Sequence, residues 1–309
     1  MKLFKRILKI LLCLLLAAVI AVIAVEGVYI PRYLIQKKPA DITPTAAAGE
    51  VKIVSSNVRC WSPYDLGKKS WFYRASVLMQ TVADANPDVI GFQEVTKLHY
   101  KYLCDCLPDY DSVITYRDDS PLAEACPVFY NTLKFELIDK GSFWLSETPD
   151  VPGVKGWDAA CVRICSWAKL EDKQTGKRFV HFNTHLDHVG LVAMQQGALL
   201  VTAKAAEICP DLPAFFTGDF NVTPDSAPYR TVIEAGFGDA RHLAADSDDS
   251  PTFHWEVFVS KRPKKENTVI DYCFVKGDVQ VQSFRVLQDV YPGKLYPSDH
   301  YPVLATVSF

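Results

Sequence analysis

No block of 20–50 residues recurs along this 309-residue chain, and no stretch is low in complexity. Repeat arrays and compositionally biased scaffolds are thereby excluded. The nine cysteines include no CxxC pair, so no zinc site of that kind is offered. Nor is their spacing that of a compact disulfide framework. Cys161 and Cys165 lie in one apolar run and Cys273 in another, Ile270–Val275, where cysteine acts as a small buried hydrophobe. A basic surplus is missing too. Residues 1–49 hold seven of the 33 Lys and Arg and two of the 36 Asp and Glu. The remainder is left with 26 basic against 34 acidic residues. A surface that grips duplex nucleic acid by neutralising phosphates needs the opposite balance.

What the chain does have at its start is one long apolar run. Lys2, Lys5, Arg6 and Lys9 precede Ile10–Val25, and apolar residues resume from Gly27 to Ile30. Counted from Ile7, this approaches the roughly 20 residues a membrane-spanning helix needs. Two readings compete over residues 1–30: an uncleaved signal anchor, or a signal peptide cut near Val22-Ile-Ala24. Cys13 has no lipobox around it. The positive-inside rule puts the basic end in the cytoplasm and the rest of the chain outside it. Residues 31–49, with three prolines and an Ala/Thr-rich end, read as a linker. Residues 50–309 are long enough for one large α/β domain.

Within that domain, short apolar runs end again and again in polar residues. Val51–Val54 is a strand followed by Asn57. A helical stripe runs from Trp71 to Asn86 and stops at Pro87. Asp88–Phe92 is a strand with Gln93-Glu94 at its end. Further strands are expected at 126–130, 143–145 and 160–168, with a hairpin turn at Gln174–Lys177. Arg178–Asn183 leads into Thr184-His-Leu-Asp-His188, and a helix follows over Val189–Ile208. Ala214–Thr217 is a buried strand that Gly218 ends, with Asp219 and Asn221 on one side of the extended chain beyond it. A helix is expected over Tyr229–Ala235 and a surface loop over Asp246–Asp249. The last strands are Thr268–Val275, which carries Asp271, and Tyr301–Val307, which follows Ser298-Asp-His300. Alternating elements on this spacing give a sheet-rich α/β core with its polar groups gathered at one rim.

Five strand ends thus present Asn57, Glu94, His185, Asp219 with Asn221, and Asp299 with His300. Glu94 and Asp299 with the Asn57 amide oxygen make a hard, oxygen-rich set suited to Mg²⁺, with Mn²⁺ as an alternative. His181, Asp187 and His188 offer a rival reading as Zn²⁺ ligands.

Taken in order, Asn57, Gln93-Glu94, Asn183-Thr-His185, Gly218-Asp-Phe-Asn221, Ile270-Asp-Tyr272 and Ser298-Asp-His300 resemble the motifs of the endonuclease/exonuclease/phosphatase superfamily. Asn57-Val-Arg59, Trp144–Pro149, Asn183–His188 and Thr252-Phe-His254 resemble a bacterial group loosely akin to its deadenylase and nocturnin branch. The loop Cys60–Asp65 departs from the acidic, Gly-containing loop common there. The resemblance covers residues 50–309 and implies a DNase I-like four-layer sandwich, two packed mixed β-sheets with helices outside. It implies Glu94 as principal metal ligand, Asn57 beside metal and phosphate, and Asp299 assisting. Asp219 would orient or deprotonate the attacking water and Asn221 would hold it. His185 and His300 would donate to the phosphate, and Asp271 would orient His300. Whether Asp219 or His300 is the base stays open. Arg59, Arg163 and His254 are candidate substrate contacts.

The expectation is therefore a Mg²⁺-dependent phosphoesterase, nuclease or phosphatase, acting by in-line attack of water at a membrane surface outside the cytoplasm. Substrates consistent with the acidic balance are a nucleotide, a single-stranded nucleic acid end, a sugar phosphate or a lipid headgroup. The basic run Lys261–Lys265 reads as a solvated turn. Aromatic residues near the motifs, such as Trp61 and Trp255, could stack on a base or sugar ring. Two alternatives are a sphingomyelinase- or phosphoinositide-type phosphodiesterase and a non-catalytic binding module of the same fold. No protein partner is implied.

Overall fold

The computed structural model describes residues 2–36, 42, 48–62, 64–255, 268–289 and 295–309. The run Lys261–Lys265 lies outside them. In chain order the elements are α1 (Lys2–Gln36), β1 (Glu50–Asn57), α2 (Trp71–Ala85), β2 (Val89–Gln93), α3 (Lys97–Cys106), β3 (Tyr110–Val113), β4 (Val128–Asn131), β5 (Phe135–Trp144), β6 (Ile164–Asp172) and β7 (Arg178–His185). They continue with α4 (Leu191–Ile208), β8 (Ala214–Asp219), α5 (Ala227–Glu234), β9 (Gly238–Asp239), α6 (Ala240–Leu243), β10 (Asp246–Ser247), β11 (Asp271–Lys276), β12 (Gln280–Val286) and β13 (Val303–Ser308).

The strands form two mixed sheets, one ordered β10-β12-β13-β1-β2-β4-β3 and the other β5-β6-β7-β8-β11-β9. Side-chain alternation explains why they stack. Val89 of β2 joins Val51, Ile53, Phe179 and Phe215 in the layer between the sheets. Ile90 and Phe92 point the other way, onto Leu78 of α2 and Leu103 of α3. In the second sheet, Phe182 and Phe216 point outward onto Val201 of α4 and Val232 of α5. Each sheet thus has one face against the other sheet and one against helices, which gives the four layers.

Toward one end of the strands the inward positions turn from apolar to polar. There, Gln93 Nε2 donates to Asn183 Oδ1 at 2.7 Å, and to Ser55 Oγ at 3.2 Å. Asn183 Nδ2 donates back across the gap to the Phe92 carbonyl at 2.7 Å and the Pro127 carbonyl at 2.9 Å. Thr217 Oγ1 donates to Asn183 Oδ1 at 3.1 Å and lies 2.7 Å from His181 Nε2. Buried amides cost free energy unless paired, so this network favours one register between the sheets. Gly91 makes room for it: a Cβ there would sit 2.3 Å from Thr217 Oγ1 and 2.6 Å from Asn183 Oδ1.

Several local expectations are corrected. Gly218 does not end β8, which continues to Asp219 and pairs Gly218 with Thr184 and Tyr272. Glycine is needed for close approach, since a Cβ would lie 2.3 Å from the Thr184 carbonyl oxygen. The chain turns instead at Asn221, whose φ is 53°, so Asn221 does not share an extended backbone with Asp219. Residues 160–163 precede β6 rather than belonging to it. Asp246–Ser247 is not a plain loop but a short strand pairing with Ser283 and Phe284. α3, β3 and β12 had no sequence expectation. All nine cysteines are free, and Cys106, Cys126, Cys165, Cys209 and Cys273 are buried.

Two stability predictions follow from this core. Gly91→Ala overpacks the gap between the sheets and should cost about 1–3 kcal/mol; an unmoved urea midpoint would contradict the close approach. Burial alone pushes the His181 imidazole down to about 3. The unfolded chain, with an ordinary histidine pKa near 6.5, takes up a proton below that pH that the folded core refuses. Stability from this group is therefore full above pH ~6.5 and lost toward pH ~3, by at most about 1.4 kcal/mol per pH unit. Urea unfolding at neutral and mildly acidic pH reads the slope, which should be shallower in His181→Gln.

Candidate active site

The polar ends of these strands meet on one side of the sandwich. Asn57 is the last residue of β1 and lies beside Gln93, so Glu94 follows at the same rim. His185 ends β7 and is paired with Asp219 at the end of β8, which in turn is paired with Asp271 at the start of β11. Glu94, His185, Asp219, Asn221, Asp299 and His300 line one cavity of about 790 Å³. Backbone strain concentrates here. Of six described non-glycine residues with positive φ, Arg59, Glu94, Asn221 and Trp255 lie in or beside this cavity. Such conformations persist only where the surroundings fix them, as functional sites do.

The Asn57 amide sits between two acids, donating to Glu94 Oε1 and to Asp219 Oδ2 at 2.9 Å each. Glu94 Oε2 accepts from the Cys60 N–H at 2.5 Å, and Asp219 Oδ1 from the Asn221 N–H at 2.9 Å. Ligand atoms of Glu94, His185 and Asp219 all lie within 4.8 Å of one another. Burial raises the Asp219 pKa to about 7, with His300 opposing the rise and Asp271 adding to it. A divalent cation would relieve this crowding of acids, and a set dominated by carboxylate oxygen suits a hard ion. The residues present therefore fit Mg²⁺ or Mn²⁺.

The two histidines facing Asp219 are in opposite charge states. Burial pulls His300 down, but Asp271 and Asp219 outweigh it and hold the imidazole up at about 10. Its Nδ1 lies 2.9 Å from Asp271 Oδ2, and its Nε2 is 3.7 Å from Asp219 Oδ2. His185 is pushed well below its usual value by burial, reinforced by Arg163 and His300. Its Nε2 accepts from Asn221 Nδ2 at 2.9 Å, so the proton sits on Nδ1, which has no hydrogen-bond partner among the described residues.

Asp299 is tied to Arg59. Arg59 holds its Oδ2 through one nitrogen and Asp65 Oδ2 through another at 2.7 Å. Arg59 thus braces the wall rather than lining the cavity. Arg163 does line it, 2.9 Å from His188 Nδ1 and 3.4 Å from Asp187 Oδ2. His254 lies outside the lining, stacked on Tyr301 at 4.0 Å. Of the zinc reading, Asp187 and His188 stay together, with Cys161, their ligand atoms within 4.8 Å of one another, but His181 is in the core and Asp187 accepts the N–H groups of Ala160, Cys161, Val189 and Gly190. These bonds hold the Asp187 carboxyl low against the opposing effect of burial.

Sequence reasoning missed Arg74, which is fully buried on α2. Its guanidinium donates to the carbonyls of Val58, Arg59, Lys69 and Pro297, tying the loops around the cavity together. No local pattern marks it, because all four partners are backbone. Arg117 and Glu124, paired at 2.7 Å, also line the cavity unannounced.

Comparison with known proteins agrees with this arrangement. Residues 60–300 match the profile of the Endonuclease/Exonuclease/phosphatase family. A solved endonuclease/exonuclease/phosphatase from Bacteroides vulgatus is 39% identical with a TM-score of 0.78, over 84% of this chain and 99% of that one. The mannosyl-6-phosphatase of Bacteroides thetaiotaomicron is 34% identical with a TM-score of 0.78, over 84% of this chain and 100% of that one. Nocturnin of Drosophila melanogaster is 24% identical over 279 residues, which is 76% of this chain but 41% of that protein.

The charge state of His300 is open to direct test. In metal-free protein its imidazole should stay protonated through pH 8, and Asp271→Asn should lower its pKa by roughly 1–3 units. Nitrogen NMR of labelled histidine reads both. An unchanged titration in the variant would contradict the role of Asp271.

Proposed function

The chain belongs to the endonuclease/exonuclease/phosphatase family, and from that premise we propose a divalent-metal-dependent phosphoesterase, tethered to a membrane with its catalytic domain outside the cytoplasm. Residues 50–309 form that domain, residues 1–30 the anchor or signal segment, and 31–49 the connection. The observation that carries the catalytic reading is the partly buried Glu94–Asn57–Asp219 contact beside the His300–Asp271 pair, with His300 Nε2 3.7 Å from Asp219 Oδ2 in the wall of one cavity.

Glu94, with Asp219 and Asp299 beside it, would hold Mg²⁺ or Mn²⁺, and the ion would offset charge growing on the phosphoryl oxygens. The Asn57 amide instead spaces the two acids through its Nδ2, its Oδ1 accepting from the Arg59 N–H at 2.8 Å. Asp219, whose Oδ2 accepts from Asn57 Nδ2 and lies 3.7 Å from His300 Nε2, is placed to orient the attacking water and accept its proton. His300 is already protonated at neutral pH, so it serves as donor to the phosphoryl oxygen rather than as base. Asp271 keeps its charge and orientation. Asn221 fixes His185 through Nε2, which faces Asp219 at 3.4 Å, while Nδ1 is buried behind it. The P–O ester bond breaks as the water oxygen bonds to phosphorus, and the leaving oxygen takes up a proton.

For the substrate, a compact sugar phosphate is favoured. The similarity to a mannosyl-6-phosphatase supports it, and so does the cavity wall. Trp255 is 57% exposed there, with Phe253 at 4.6 Å, an aromatic platform suited to a ring. The excess of acidic residues speaks against long duplexes.

A panel on the full-length protein in detergent tests this, comparing a hexose 6-phosphate, a nucleotide, a phospholipid and plasmid DNA with Mg²⁺, Mn²⁺ or EDTA. The hexose phosphate should be hydrolysed only with metal, and Asp219→Asn should slow it about 10²–10⁴-fold. Rapid plasmid nicking that collapses between roughly 50 and 200 mM salt would overturn the substrate reading. Undiminished turnover in Asp219→Asn would overturn the mechanism.

A further inference from the structure

The segment Lys2–Gly27 of α1 is long and apolar enough to cross a membrane, yet the helix runs on to Gln36 and is not a free tether beyond that stretch. Glu26 accepts from the Gly67 N–H at 2.9 Å and from Ser70 Oγ at 2.8 Å. Tyr33 is buried, stacked on Tyr102 of α3 at 4.5 Å and edge-on to Phe72 of α2 at 5.3 Å. The helix therefore leaves its apolar run and docks on the catalytic domain within the same two turns.

Length then fixes depth. The uninterrupted apolar run Ile10–Val25 rises about 24 Å as a helix, short of the ~30 Å hydrocarbon core. No slack remains between the end of the span and Glu26, which falls at the edge of the bilayer. Whatever Glu26 grips lies at that edge too. What it grips is a loop whose exposed side chains match an interface: Tyr64 is 90% exposed, Leu66 is 42% exposed, and Lys68 stands out beside them. Aromatic, aliphatic and basic side chains together are what the headgroup region accommodates.

We propose that Tyr64, Leu66 and Lys68 form a membrane-surface loop, pressed onto lipid headgroups by the Glu26 contact. This rests on the anchor reading of α1. The loop is continuous with the active site. Cys60 lines the cavity seven residues before Gly67, a reach of at most about 25 Å. Asp65 within the loop grips Arg59, which grips Asp299 in the cavity wall. Bilayer contact is thus coupled to a cavity held close to the membrane.

The test uses the full chain reconstituted in vesicles of phosphatidylcholine and phosphatidylglycerol. Tyr64→Trp adds an indole at a position exposed enough to leave folding untouched, and its emission is the difference from the parent. Lipids carrying a spin-label quencher near the headgroup should remove that added emission, while a quencher at the acyl-chain end should spare it. Carbonate extraction and the mass of the N-terminus report the anchor separately. A chain that resists carbonate but whose added indole stays unquenched overturns the loop and leaves the anchor standing. Release into the supernatant with a shortened N-terminus overturns both.

Discussion

The hydrogen bond from Gln93 Nε2 to Asn183 Oδ1 is the contact on which the site depends. It joins the sheet that carries Asn57 and Glu94 to the sheet that carries His185 and Asp219. Gln93 immediately precedes Glu94, and Asn183 stands two residues before His185 on the same face of β7. Leaving either buried amide unpaired costs about 1–3 kcal/mol. The two halves of the site are therefore held together by a register that cannot slip cheaply. Gly91 and Gly218 serve the same end, one admitting the network between the sheets and the other letting β7 and β8 close on each other.

That rigidity is what allows acids to be crowded. Asn57 bridges Glu94 and Asp219 with a single amide group, and Asp271 lies across the β8–β11 pair from Asp219. In solution such groups would move apart. Here the sheets prevent it: burial, with Asp271 adding to it, raises the Asp219 pKa, and Asp271 and Asp219 together overcome burial to keep His300 protonated. Two chemically identical imidazoles are thereby separated in role: His300 has both Asp271 and Asp219 beside it, while His185, although 3.4 Å from Asp219 Oδ2, is governed by burial, with Arg163 and His300 adding to it. Arg74 and Arg59 brace the loops around the cavity from behind, through backbone carbonyls and the Asp65–Asp299 pair.

Much of this was legible in the sequence because strand alternation is. Apolar runs ending in Asn57, Glu94, His185 and Asp219, with Asp271 inside a buried run, identify strands whose inward positions become polar at one end. The layered fold and the gathering of those residues follow from that. What escaped was of three kinds. Gly218 looked like a stop because glycine both turns chains and admits close neighbours, and only the Thr184 carbonyl beside it decides between them. Gln93 and Asn183 stood within the quoted motifs without a role of their own, since a staple across 90 residues of sequence leaves no local trace. Asp299 and Arg59 were assigned separately, whereas the fold pairs them, so that one carboxylate oxygen of Asp299 is already held by a guanidinium.

The division of charge predicts a specific thermodynamic behaviour. A pair of acids locked together by the sheets stabilises the folded chain only when a cation lies between them. Urea unfolding of the full-length protein, with EDTA and then with rising Mg²⁺ or Mn²⁺, measures that linkage without any substrate. At a hundredfold excess over the dissociation constant the folded state should gain about 2.7 kcal/mol. Glu94→Gln should remove the gain, and should raise the stability of the metal-free protein by relieving the crowding. A midpoint indifferent to divalent metal in the parent would contradict a cation site at Glu94 and Asp219.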